Sequence, residues 1–260
     1  MAALLPLCSC VRTPKLVILH TNDVHSHFEA FLSDDGKWHG GIIERAAFID
    51  SVRKAEGADR VLYLHGGDFS QGSSYFLEFN GDLEVEEQNV LGCDCVTLGN
   101  HELDNGIEDL ARRLSSLKCP MVCANVDFSP FAAGKYIKPY VILERGGLKI
   151  GIIGLAPDLT TKVSRTTSSR LQQYDPVEVV NKYAAVLRSE RCDLVILLSH
   201  SGYEEDQKIV AATRGLDLVI GGHSHTFVED FIYVEDLDGK KIPITQDGCW
   251  GYEMGKVSVY

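Results

Sequence analysis

Six short apolar runs, rich in β-branched residues, constrain this chain more than any other feature. They are LVILH (16–20), VLYLH (61–65), CVTL (95–98), KIGIIGL (149–155), LVILLS (194–199) and LVIGG (218–222). Runs of this kind read as strands buried on both faces. Between several of them lie segments with helical spacing. IIERAAFIDSVRKA (42–55) is one, and IEDLARRLSSL (107–117) is another, with Asp104 or Asn105 as its candidate cap. PVEVVNKYAAVLRSE (176–190) carries proline in its first turn, behind Asp175. Strands that alternate with helices predict an α/β domain with largely parallel pairing. Three later runs, FIYVED (231–236), KKIPITQ (240–246) and GKVSVY (255–260), succeed one another without helices and predict an antiparallel addition.

The 260 residues, 45% of them hydrophobic, suffice for one large core. The expected division is a tail over 1–14 and a single domain over 15–260. The net charge of -12 disfavours an extended polyanion such as nucleic acid as partner. It leaves room for a small phosphate-bearing substrate where local cations reverse the field. No apolar run approaches the roughly 18–20 residues of a membrane helix. The opening stretch, MAALLPLCSCVRTP, lacks a basic start and is short for a signal peptide, which favours a cytoplasmic location. None of the eight cysteines forms a CxxC pair, so zinc-ribbon and thioredoxin-like readings fail. Cys123 and Cys192 lie in or beside strand-like runs, and reduced thiols are expected.

The residues just beyond these runs carry the chemistry. Asp23 and His25 lie past the first run and Asp68 past the second. Asn100, His101 and Asp104 come after the third, His200 ends the run at 194–199, and His223 and His225 come after the last. In parallel sheets the loops beyond the carboxyl ends of strands share one edge, where ligands bind. Each motif alone reads as an ordinary polar turn or helix cap. Together they place five of nine histidines just beyond strands, which independent turns would not do. Imidazole, carboxylate and carboxamide without thiolate suit Zn, Mn, Fe, Co or Ni better than a structural cysteine site. The groups outnumber the four ligands of one tetrahedral centre, so two metals sharing a carboxylate is the economical account. Two such cations can clamp both oxygens of an in-line displacement at phosphorus.

The motifs DVH, GDFSQG, GNHE, the histidine of LLSH, and GHSH together resemble the calcineurin-like metallophosphoesterases. The wording LHTNDVHSH, GGIIERAA, LGNHELDNG, ANVDF and GGHSHT resembles their 5'-nucleotidase branch, over roughly residues 15–260. The resemblance implies a four-layer αββα sandwich of two mixed sheets. It also implies one divalent metal on Asp23, His25 and His225, a second on Asn100, His200 and His223, and Asp68 as the bridge. Asn100 and His101 would contact the phosphate, with Asp104 orienting the His101 ring; the rival role for Asp104 is the helix cap. The expected reaction is hydrolysis of phosphate monoesters, foremost nucleoside 5'-monophosphates. Alternatives are a cyclic-nucleotide phosphodiesterase, a nucleotide-sugar pyrophosphatase, a nuclease, or an inactive metal-binding interaction domain. Family nucleotidases usually continue into a second, nucleoside-gripping domain, which is expected to be absent or truncated here. They are also often exported.

Overall fold

The computed structural model describes residues 13–32 and 36–260. Cys8, Cys10 and most of the expected tail lie outside the described residues. Twelve strands form two large sheets. In chain order they are β1 (Leu16–Thr21), β2 (Val61–His65), β3 (Cys95–Thr97), β4 (Met121–Val122), β5 (Ile137–Lys138) and β6 (Tyr140–Arg145). They continue with β7 (Leu148–Leu155), β8 (Leu194–Ser199), β9 (Leu218–Ile220), β10 (Ile232–Glu235), β11 (Lys241–Thr245) and β12 (Gly255–Val259). The first sheet has the order β12-β1-β2-β3-β4-β5, and the second β10-β11-β9-β8-β7-β6. Within the first, β1 to β5 run parallel and β12 pairs antiparallel to β1. Within the second, β7, β8, β9 and β11 run parallel, with β6 and β10 antiparallel at the two edges.

The period-2 alternation of a strand sets the layers. Leu16 and Ile18 of β1, with Leu62 and Leu64 of β2, point between the sheets and meet Ile150, Ile152, Ile196 and Leu198. Val17, Leu19 and Tyr63 point outward. They pack under α1 (Ile42–Glu56), α3 (Asp82–Leu91) and α4 (Gly106–Leu114), which follow or flank the short α2 (Ser74–Phe79). On the far side Val195, Leu197 and Val219 pack under α5 (Pro176–Ser189) and α6 (Tyr203–Ala211). The result is the four-layer αββα sandwich. It explains why the strand runs are apolar throughout: every β1 residue is buried, because both faces of each sheet are covered.

Most expected elements fall where the apolar pattern put them, and Asp175 caps α5 by accepting from the Glu178 N–H at 2.9 Å, with Pro176 in the first turn. One expectation is corrected. The run at 240–246 does not belong wholly to an antiparallel addition, because β11 lies parallel to β9 and carries β10 on its other edge. Strands β4, β5 and β6 and helices α2, α3 and α6 were not anticipated. Cys93, Cys95, Cys119, Cys123, Cys192 and Cys249 carry free thiols, four of them fully buried.

Candidate metal centre

The carboxyl ends of β1, β2 and β3 in one sheet meet those of β8 and β9 in the other. The loops touch directly. The Asp23 N–H donates to Gly67 O at 2.9 Å, and the His223 N–H donates to Asp23 Oδ2, also at 2.9 Å. Gly222 makes the approach feasible: a Cβ there would lie 2.5 Å from Gly66 O and 2.7 Å from His200 Nδ1. The glycines of GGHSHT therefore serve close packing and do not make the turn. The turn is made by the candidate ligands themselves. Asp23, His25, Asp68, His223 and His225 all have φ between 50° and 73°. That region costs a non-glycine residue roughly 1–2 kcal/mol, and such strain concentrates where a structure must aim functional side chains.

The side chains converge as three overlapping groups. Asp23, His25 and His225 form the first, Asp68, His200 and His223 the second, and His25, Asp68 and His101 the third, each with its ligating atoms within 4.8 Å of one another. His25 Nε2 and His225 Nε2 stand 3.0 Å apart, and His225 Nε2 is 3.4 Å from Asp23 Oδ1. His200 Nε2 stands 2.9 Å from Asp68 Oδ2 and 3.6 Å from Asp23 Oδ1. The Nδ1–H of His200 donates to Gly66 O at 2.6 Å, which turns Nε2 toward the carboxylates as the atom available to a metal. Asn100 borders the same cavity, with its buried Oδ1 lacking any hydrogen-bond partner. His25 Nδ1 and His200 Nε2 are likewise buried without an aligned partner. Imidazole nitrogens and a carboxamide oxygen beside carboxylates fit divalent cations of the borderline class.

The electrostatics point the same way. Burial opposes ionisation of Asp68, but His200 holds its carboxyl well below the ordinary range. Burial also opposes protonation of His200, yet Asp68 and Asp23 raise it to about 10. Hydrogen bonds to Asp23 and Cys249 raise His225 to about 10. Burial, reinforced by His200, lowers His223 to about 4. The two carboxylates create a strongly negative locus that draws positive charge onto whatever lies between them.

His101 sits beside the first two groups. Its ring lies 5.2 Å from that of His25, and its backbone N–H donates to Asp68 Oδ1 at 2.8 Å. Its Nδ1 bonds Asp104 Oδ2 at 2.8 Å. Burial alone would lower the His101 pKa, but the Asp104 bond and nearby carboxylates outweigh it and raise the group. Of the two roles open to Asp104, the imidazole partner is the one seen: Asn105 occupies the N-cap position of α4, without a side-chain bond.

Sequence reasoning missed the residues that hold the loops. Glu102, fully buried, accepts from the N–H groups of Asp68, Ser70 and Gly99 at 2.8–3.1 Å, tying the second and third loops together. Gln246 does the same for GGHSHT. Its Oε1 accepts from Ser224 Oγ and the Thr226 N–H, and its Nε2 donates to Gly222 O. Glu102 stands in the GNHE motif, so the signal was present; Gln246 comes after a strand with no local mark. Trp250, also missed, lines the cavity with His25, Asp68, Asn100 and His101.

The family model described as calcineurin-like phosphoesterase matches residues 16–227. The rat 5'-nucleotidase is 34% identical over all of this chain and 48% of its own length. The solved structure of a 5'-nucleotidase precursor from Thermus thermophilus superposes with a TM-score of 0.86 at 32% identity, over 94% of this chain and 51% of that one. The Haemophilus influenzae NAD nucleotidase superposes at 0.82 with 28% identity, over 93% of this chain and 46% of its own. The chain thus spans about half the length of the relatives it matches.

Proposed function

The chain belongs to the calcineurin-like phosphoesterase family, and from that premise we propose that it hydrolyses phosphate monoesters, foremost nucleoside 5'-monophosphates, with two divalent metal ions. The observation that carries this reading is the pair of donor groups, Asp23/His25/His225 and Asp68/His200/His223, set side by side at the meeting of two sheets. Asn100 would complete the second, and Asp68 would join the two. Divalent ions bound there supply Lewis-acid polarisation of the phosphoryl oxygens and acidify a water for attack.

The chain's own groups do the rest. His101, with Nδ1 tied to Asp104, keeps Nε2 for the substrate. A protonated ring there stabilises charge on a phosphoryl oxygen or on the departing ester oxygen. Asn100 would add a carboxamide contact to the phosphate. The similarity to 5'-nucleotidases of a mammal and a bacterium favours a nucleotide as the ester.

Metal content and turnover of AMP, cyclic AMP and UDP-glucose, measured on protein reloaded with Mn or Zn, test the proposal together. Close to two metals per chain and fastest turnover of AMP are expected. None or one metal would sink the dinuclear model. Faster cleavage of cyclic AMP or UDP-glucose would assign the site to phosphodiester or pyrophosphate chemistry instead.

A further inference from the structure

Among the described residues, Trp250 is the one large apolar ring on an otherwise polar cavity of about 370 Å³ whose walls include His25, Asp68, Asn100, His101 and His225. A Trp that is 44% exposed is ordinary in itself, and Trp38, at 68%, lines no such cavity. Three features set Trp250 apart. Its backbone is left-handed, at φ 63°, which a bulky residue rarely adopts. Its N–H donates to Asp23 O at 2.7 Å, so the turn that presents the indole is bonded to the loop that presents a metal-binding carboxylate. The indole lies parallel to the His27 ring, with centroids 5.2 Å apart and planes 20° apart, and Phe31 meets it edge-on at 6.4 Å.

His27 is itself fixed. Its Nδ1 bonds the carbonyls of His25 and Val24, and its own carbonyl accepts from buried Arg45 at 3.1 Å. The indole is therefore a rigid ledge at the mouth of the phosphate site, oriented before any ligand arrives. A preorganised flat ring beside charged groups suits a ligand with a phosphate at one end and a planar ring at the other.

We propose that Trp250 stacks on the base of the substrate, so that this domain by itself favours phosphate esters whose leaving group carries a planar ring. The inference rests on the phosphoesterase reading of the same site and specifies its leaving-group contact.

Two measurements test it. The first is steady-state kinetics of AMP against ribose 5-phosphate, which has the same ester and no base. Trp250→Ala should raise KM for AMP on the order of tenfold, the size of a lost base–aromatic stack. It should leave KM and kcat for ribose 5-phosphate within about twofold, and Trp250→Phe should recover most of the AMP effect. The second is fluorescence. The chain has two tryptophans, so Trp38→Phe leaves Trp250 as the only emitter. In zinc-loaded protein with Trp38→Phe and His101→Ala, AMP should quench the emission and ribose 5-phosphate should not. Equal damage to both esters in Trp250→Ala, or no quenching by AMP at saturation, would overturn the proposal. Failure of the parent chain to turn over AMP would overturn the nucleotidase reading, and the quenching titration would still decide the stack.

Discussion

At the scale of single residues, His101 and Glu102 are neighbours with opposite tasks. His101 faces the cavity, with its backbone N–H bonded to Asp68 and its ring edge-on to that of His25 at 5.2 Å. His101→Ala should lower turnover by about 10²–10⁴, the usual worth of a positioned acid–base group, while metal content measured on the same preparation stays unchanged. Loss of metal would mean that the ring is a ligand. Glu102 faces inward and satisfies three buried backbone N–H groups at once. Leaving a buried donor unpaired costs about 1–3 kcal/mol each. Glu102→Ala should therefore lower the melting temperature and loosen metal binding together, read by calorimetry and by metal titration. Weakened turnover with both quantities intact would contradict the role given to it. The sequence marked His101 clearly and Glu102 hardly, because a glutamate after a strand is ordinary until its partners are known.

At the scale of elements, α3 shows why pattern reading has limits. Its polar residues Glu84, Glu87 and Gln88 are buried, although charged helix positions normally face water. They are turned in because α3 lies over α1 and the loop that carries Asp23, His25 and Ser26. Glu84 accepts from Ser26 Oγ, and Glu87 pairs with Arg45, which also holds His27. Removing one partner of a buried pair costs about 3–5 kcal/mol. Glu87→Ala should lose about that much in urea unfolding, and a loss under about 1 kcal/mol would show that water reaches Arg45. Helix α6 carries another buried carboxyl, Asp206. Burial raises Asp206 to about 7, against the bond it accepts from Ser199 Oγ at 2.5 Å. Below about pH 4 the group is neutral folded and unfolded, so it contributes no pH dependence there. Between about pH 4 and 7 only the unfolded chain releases the proton, and stability falls as pH rises. Asp206→Asn should flatten that fall across the same window, and an unchanged slope would place the proton elsewhere.

At the scale of the whole molecule, the candidate metals would lie between two sheets and join them. Ligands come from β1, β2 and β3 on one side and from β8 and β9 on the other. Binding to the folded state alone stabilises by about 2.7 kcal/mol per site at a hundredfold excess over Kd. Chelation should therefore lower the melting temperature of the entire domain in one transition, and Mn or Zn should restore it. Two separate transitions on chelation would mean that the sheets do not depend on each other through the site.

Sequence alone was enough to locate nine of the twelve strands, since burial on both faces leaves apolar runs that need no partner to be recognised; the two-residue β4 and β5 and the half-buried β6 carry no such run. It was also enough to name the seven candidate ligands, because histidine or aspartate recurs just past five of the six runs, and the family resemblance completed the set. It could not show that those runs divide between two sheets, nor that β11 lies parallel to β9. Pairing is decided by which edges find each other across long stretches of chain, and nothing local encodes that. Nor could it show Trp250 beside His27, far earlier in the chain, or the buried clamps of Glu102 and Gln246. The division of tasks within GGHSHT is hidden from sequence on the same ground. Its histidines carry the left-handed turns, Gly222 clears space for Gly66 of the opposite sheet and Gly221 for Asp206 and Gln246, and only the packed structure reveals which residue does which.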